Sequence, residues 1–316
     1  VYSSCVYFIP SDFLPKTGSK ASIAENEAGV QEKSSATGEL RKRRENLFAI
    51  TPGSDIIVAK MRVEAGGKEG DLYPPDEQES EENKMNCIGI IGAMEEEVTA
   101  LKEQMQQVQV IRKASMEFNE GMLEGKKVVV VRSGIGKVNA AVCTQILIDD
   151  FAVEAVINTG IAGSLKNEIN IGDIVLSTDV VHHDMDARGF GYAKGQIPRM
   201  EVLSFPADES LIALGERMCR EVNPEIQVFT GRVASGDQFI SDQNVKEQII
   251  QEFQGYCTEM EGAAIGQTAW LNQIPFLIIR AISDKADDSA TVDYPTFEKQ
   301  AIAHCVKLTQ NMIKYL

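Results

Sequence analysis

No run in this 316-residue sequence approaches the roughly 18 consecutive apolar residues that a bilayer-crossing helix needs. The apolar patch Cys5–Ile9 is too short and lacks a basic flank, which argues against a signal peptide or a membrane anchor. Basic side chains are in deficit too. The 31 Lys and Arg stand against 47 Asp and Glu, a formal charge of -16, and a cationic nucleic-acid or acidic-membrane binder is excluded as a first reading. Six cysteines, at 5, 87, 143, 219, 257 and 305, form no CxxC pair and no tight cluster. Reduced, mostly buried thiols are expected rather than a disulfide framework. There is no internal repeat. These absences describe an acidic, soluble protein whose expected home is the cytoplasm.

What is present is apolar material, 43% of the residues, enough for the core of one large domain. It is unevenly spread. Residues 1–84 mix charges of both signs with GSK, AGG and YPP, close on the acidic run Asp76–Asn83, and show no sustained periodicity. They are expected to be a disordered, low-complexity extension, a tail or upstream read-through, with Met85 the natural start of the folded domain. The RKRR run, Arg41–Arg44, reads as a solvated turn rather than a nuclear address.

From 85 to 316 strand-like and helix-like stretches alternate. Strands are expected over Cys87–Ile91, Lys127–Arg132, Ala155–Asn158, Asp173–Val181, Gln227–Ala234 and Pro275–Ile282, several apolar throughout, as in strands covered on both faces. Helices are expected over Glu95–Gln107, Lys137–Asp150, Asp208–Glu221, Asn244–Gln254, Glu261–Asn272 and Tyr294–Tyr315, and hairpins over Met116–Val131. The pattern gives one α/β domain of three layers with a mixed sheet between helices.

In such folds ligands sit beyond the carboxyl ends of strands, and the motifs fall there. GAMEEEV (Gly92–Val98) opens a helix with three acids, of which at most one can face a pocket. SGIGKVNAA (Ser133–Ala141) and NTGIAGSL (Asn158–Leu165) read as sharp turns after strands; the first is not a dinucleotide fingerprint, because Asn139 takes the third glycine position. SGDQFIS (Ser235–Ser241), TEMEGAA (Thr258–Ala264) and RAISDKAD (Arg280–Asp287) follow. Asp284 ends an apolar strand, where a raised pKa makes a proton donor feasible, although a helix cap is the plainer reading of an aspartate there. His182 and His183, with Asp184 and Asp186, have no third element with metal-ligand spacing.

These six motifs, in this order and spacing from Met85 to Leu316, closely resemble the bacterial 5'-methylthioadenosine/S-adenosylhomocysteine nucleosidases of the nucleoside phosphorylase superfamily. The resemblance implies a three-layer α/β/α sandwich with a mixed, partly barrel-like sheet. It implies cleavage of an adenine–ribose bond by hydrolysis, with no metal or nucleotide cofactor, serving methionine salvage. It makes Asp284 the general acid at adenine, oriented by Ser283, and Glu97 the base that activates water, with Arg280 nearby. Glu261 would bind the ribose hydroxyls with Met260 packed against the ribose, and Glu259 joins the substrate-binding set. Phe239 would lie on the adenine face and Ile240 would read its edge through backbone. Met94 and Tyr294 match sleeve positions around the thio substituent. Phe190 and Pro198 match positions supplied by a neighbouring subunit, implying a homodimer. Many relatives carry Ser at the position of Ile161, so a hydroxyl near the attacking water is missing here. The other readings are a 6-amino-6-deoxyfutalosine nucleosidase, a phosphorylase, or a non-catalytic nucleoside sensor; phosphorolysis would need a basic cluster, and the loops offer only Lys137.

Overall fold

The computed structural model describes residues 85–316. The expected disordered extension and the RKRR run lie outside the described residues, as does Cys5.

The fold is a mixed sheet between two groups of helices. Strand β1 (Ile88–Gly92) is buried at all five positions, as a strand with helices on both faces must be. It pairs in parallel with β4 (Lys126–Arg132) on one side and with β5 (Ala155–Ser164) on the other. Beyond β4 the hairpin of β2 (Gln106–Lys113) and β3 (Met116–Leu123) extends the sheet in antiparallel fashion. On the other side β5 pairs in parallel with β10 (Phe276–Asp284) and antiparallel with the three-residue β9 (Cys257–Glu259). Strands β6 (Ile174–His182) and β8 (Val228–Ser235) complete the circuit: β10 pairs β6, β6 pairs β8, and β8 pairs β9. Five strands thus close into a ring while four run out as an open flap. A two-residue strand, β7 (Phe205–Pro206), is attached to β6.

Helix α2 (Lys137–Phe151) packs on α5 (Gly262–Leu271), and α6 (Ala290–Tyr315) packs on α1 (Glu95–Gln104) and α3 (Glu209–Val222). Helix α4 (Gln243–Phe253) lies against β8. The five cysteines at 87, 143, 219, 257 and 305 are free and buried.

Besides the short strands β7 and β9, which were not expected, three elements differ from the sequence expectation. Helix α1 ends at Gln104, and the following residues form β2, whose side chains are almost all exposed. An edge strand paired on one side buries no regular face, so it leaves no apolar alternation to read. Strand β5 does not stop at Asn158 but runs through NTGIAGS to Ser164, buried at every position, so this motif is strand and not turn. Helix α6 begins at Ala290, four residues before Tyr294, and Pro295 sits inside it without ending it. SGIGK does turn, with Gly134 and Gly136 at φ of 86° and 97°, conformations open to glycine at little cost.

Candidate active site

Glycines in β5 let the site assemble. A Cβ at Gly160 would fall 2.5 Å from Glu97 Oε1 and closer still to the Arg280 guanidinium. A Cβ at Gly163 would fall 2.7 Å from Asp284 Oδ1. The motif read as a turn is therefore a bare stretch of strand across which three ionisable side chains lie.

Glu97 is the third residue of α1. Its carboxylate folds back onto the helix start, Oε2 accepting the amides of Ala93 at 2.7 Å and Met94 at 2.9 Å. Oε1 accepts the Ile161 amide at 3.2 Å. This return bond buries Glu97 while Glu95 and Glu96 stay exposed, so one acid of the three faces the interior. Burial pushes its pKa up, against the pull of Arg280 and the three amides.

Asp284 is the last residue of β10. The Ser283 hydroxyl donates to its Oδ2 at 2.8 Å, and the Ala286 amide donates to Oδ1 at 2.8 Å. Burial raises its pKa, with Asp293 and Asp287 adding to the effect and both hydrogen bonds opposing it. In the sheet Asp284 stands opposite Gly163, two residues along β5 from Ile161. The β5 positions that the two acids face, Ile161 and Gly163, lie roughly 7 Å apart at about 3.3 Å per residue.

Beside Glu97, opposite Gly160 in the sheet, lies Arg280, 1% exposed. Its Nη2 donates to Asn158 Oδ1 at 2.6 Å, pairs with Glu259, and lies 3.3 Å from Glu261 Oε2. Glu259 is held in turn by the Ser235 hydroxyl and by the amides of Glu261 (3.0 Å) and Gly262 (2.8 Å). Glu261 Oε1 accepts the Gly136 amide at 2.8 Å. Burial works against the Arg280 charge, yet Glu259, Glu261 and Glu97 hold its pKa above the ordinary value. Burial, with Glu259 and Glu97 adding to it and Arg280 opposing, pushes Glu261 up.

Two loops are latched over this cluster. Asp184 Oδ1 pairs with Lys137 Nζ at 2.6 Å, and its Oδ2 accepts the Asp237 amide at 3.0 Å. Asp237 Oδ1 accepts the Lys137 amide at 2.8 Å. The SGIGK and SGDQFI segments are thereby fixed to each other. His182 bonds Gln267 at 2.9 Å, and Asp186 pairs with Arg188 at 2.6 Å, so the His–His–Asp–x–Asp run is divided among separate partners.

The resulting cleft, about 620 Å³, is lined by Met94, Glu97, Ile161, Phe239, Ile240, Glu259, Met260, Glu261, Arg280, Ser283, Asp284 and Tyr294, all expected from the sequence. Phe239 and Tyr294 meet edge to face at 5.9 Å, and the Tyr294 hydroxyl contacts Met94 Sδ at 3.4 Å, so rings and thioether form one apolar wall. Phe190 and Pro198 do not line the cleft and are exposed, Phe190 by 86%. Not anticipated were Ala93, Ile135, Ala162, Gly163, Gln238, Thr258, Thr291 and Pro295, which complete the lining. The motifs containing Ile135, Gln238 and Thr258 were visible, but which member of a loop turns inward depends on the backbone. A second hollow of about 600 Å³, by Pro206, Trp270 and Leu271, carries Asp208 as its one ionisable group, and that carboxylate caps α3.

Comparison with known proteins agrees with this geometry. The phosphorylase superfamily model matches residues 87–315. A 5'-methylthioadenosine/S-adenosylhomocysteine nucleosidase of Bacillus cereus is 44% identical over 230 residues, covering 72% of this chain and 99% of the relative. The Neisseria meningitidis enzyme of that name, solved with methylthio-immucillin-A, is 40% identical with a TM-score of 0.71, over 73% of this chain and 100% of that one. A futalosine hydrolase of Helicobacter pylori is 32% identical with a TM-score of 0.70, over 73% and 98% of the two chains.

Proposed function

Because this chain belongs to the phosphorylase superfamily, and within it to the 5'-methylthioadenosine/S-adenosylhomocysteine nucleosidases, we propose that it hydrolyses the N-glycosidic bond of those two thio-nucleosides, releasing adenine and the 5-substituted ribose. The observation that carries the reading is the pair Glu97 and Asp284. Two buried carboxyls, each with its own fixed donors, share one cleft and face positions two residues apart along β5.

Cleaving a glycosidic bond to adenine needs a proton for the leaving base and an activated water for a sugar that becomes cationic. Asp284, with a raised pKa and the Ser283 hydroxyl on it, suits the acid. Glu97, accepting three amides, suits the base that takes a proton from water. Ile161 presents its amide to Glu97, so the water's partners on this side are the carboxylate and backbone. Glu261, beside Met260, suits the ribose hydroxyls. Around Arg280 stand three acids, Glu97, Glu259 and Glu261, and this excess of negative charge in a buried cluster becomes favourable when positive charge develops on the ring. The Phe239–Tyr294–Met94 wall suits an adenine face and a thioether.

Phosphorolysis is disfavoured by the same groups. Among the described residues Arg280 is the only basic side chain lining the cleft and is already committed to Asn158, Glu259 and Glu261; Lys137 is paired with Asp184. Residues 85–316 form the catalytic domain in this reading. A homodimer completes the site by bringing Phe190 and Pro198 of one subunit to the cleft of the other, and the setting is methionine salvage in the cytoplasm.

The test is adenine release from 5'-methylthioadenosine, S-adenosylhomocysteine and 6-amino-6-deoxyfutalosine, with and without phosphate. Phosphate-independent release from the thio-nucleosides with free sugar is expected. Release that requires phosphate, or release from the futalosine compound alone, overturns the reading.

A further inference from the structure

Lys246 is a buried cation that the proposed chemistry does not use. Its side chain, on α4, is 6% exposed, and lysine seldom occupies such a place unless something holds it. Its Nζ donates to the Lys285 carbonyl at 2.6 Å and lies 3.4 Å from Asp287 Oδ2. Both partners belong to the turn that follows Asp284.

That turn has an unusual backbone. Ala286, fully buried, sits at φ 52°, the left-handed region that a residue with a Cβ adopts only when its surroundings impose it. It is Ala286 whose amide donates to Asp284 Oδ1. Lys285 reaches the other way, its ammonium donating to the carbonyls of Ile169 and, at 3.4 Å, Asn167. The residues flanking Ala286 are thus tied down on two sides, and from α4 a single ammonium holds both Lys285 and Asp287.

We infer that Lys246 is a positioning residue for Asp284. By gripping the Lys285 carbonyl and the Asp287 carboxylate it keeps Ala286 left-handed, and left-handed Ala286 keeps its amide on Oδ1. The carboxyl then holds one orientation toward the leaving base, with the Ser283 hydroxyl on its other oxygen. This rests on the reading of Asp284 as the proton donor.

The experiment compares kcat and KM for 5'-methylthioadenosine in wild type, Lys246→Met, Asp284→Asn and the double variant, with thermal melts as the folding control. Lys246→Met is expected to lower kcat roughly tenfold or more with KM within about threefold, since substrate contacts are untouched. In the Asp284→Asn background the same change is expected to cost nothing further, because there is no donor left to orient. Adding Ala286→Gly, which makes the left-handed turn easy, is expected to restore part of the kcat lost in Lys246→Met. An unchanged kcat, a matching rise in KM, or an equal further loss on top of Asp284→Asn overturns the inference. Should Lys246→Met not fold, Lys246→Ala, which admits water to the Lys285 carbonyl, is read by the same criteria. A wild type that releases no adenine would instead overturn the nucleosidase reading itself.

Discussion

Glu97 and Asp284 are both carboxyls pushed up by burial, yet hydrolysis asks opposite protonation states of them. The base works ionised, so kcat/KM is expected to fall toward low pH as Glu97 takes up a proton. The acid works protonated, so it is expected to fall toward high pH as Asp284 loses one. Replacing Asp284 by Asn is expected to lower kcat by about 10²–10⁴. The same substitution carries a stability signature. A carboxyl whose folded pKa lies above its unfolded value adds stability that is fully present below the unfolded pKa and is lost as pH rises through the folded one. Asp284→Asn removes that loss. Its melting temperature is expected to exceed that of wild type at about pH 8, with the gap closing at about pH 4. Scanning calorimetry at the two pH values checks it, and a pH-independent gap would contradict the burial account.

Strand β5 is the element on which the site depends, and it is also where sequence reading stopped short. Val156 and Ile157 mark the strand by their apolar β-branched side chains, but Gly160 and Gly163 look like punctuation. They are strand because Arg280, Glu97 and Asp284 occupy the space where their side chains would be, a fact that belongs to two other elements, β10 and α1. Gly160→Ala is expected to destabilise by about 1–3 kcal/mol and to abolish most activity, as overpacking against a buried ion pair leaves no room to relax. A denaturant midpoint and an adenine-release assay on one preparation check both. The other long strands, and most helices, were legible because buried runs and amphipathic periods report local burial; the short β7 and β9 were not. Edge strand β2 was not, since nothing about it is periodic. Of the site, the acids and Phe239 were legible through their motifs, whereas Thr291 reaches the rim because α6 starts earlier than its pattern suggests.

At the scale of the whole molecule, Phe190 is 86% exposed in the isolated chain, which leaves its ring free for the cleft of a second subunit in the proposed dimer. Phe190→Asp is expected to shift the sedimentation coefficient from dimer to monomer and to raise KM; a wild type that sediments as a monomer contradicts the composite site. The sheet has a different message about motion. In the ring β10–β6–β8–β9–β5 every strand is bonded on both sides, while β2 leaves one edge open to water. Amide protons in the ring can meet solvent deuterons only when the ring itself opens. The Ile161 amide, which Glu97 accepts, and its neighbours Gly160–Ser164 are therefore expected among the slowest to exchange, at the limit set by global unfolding, with those of Gln106–Lys113 fast. The floor that carries Asp284 and backs Glu97 has no soft route of its own, so any yielding that admits a nucleoside belongs to the rim.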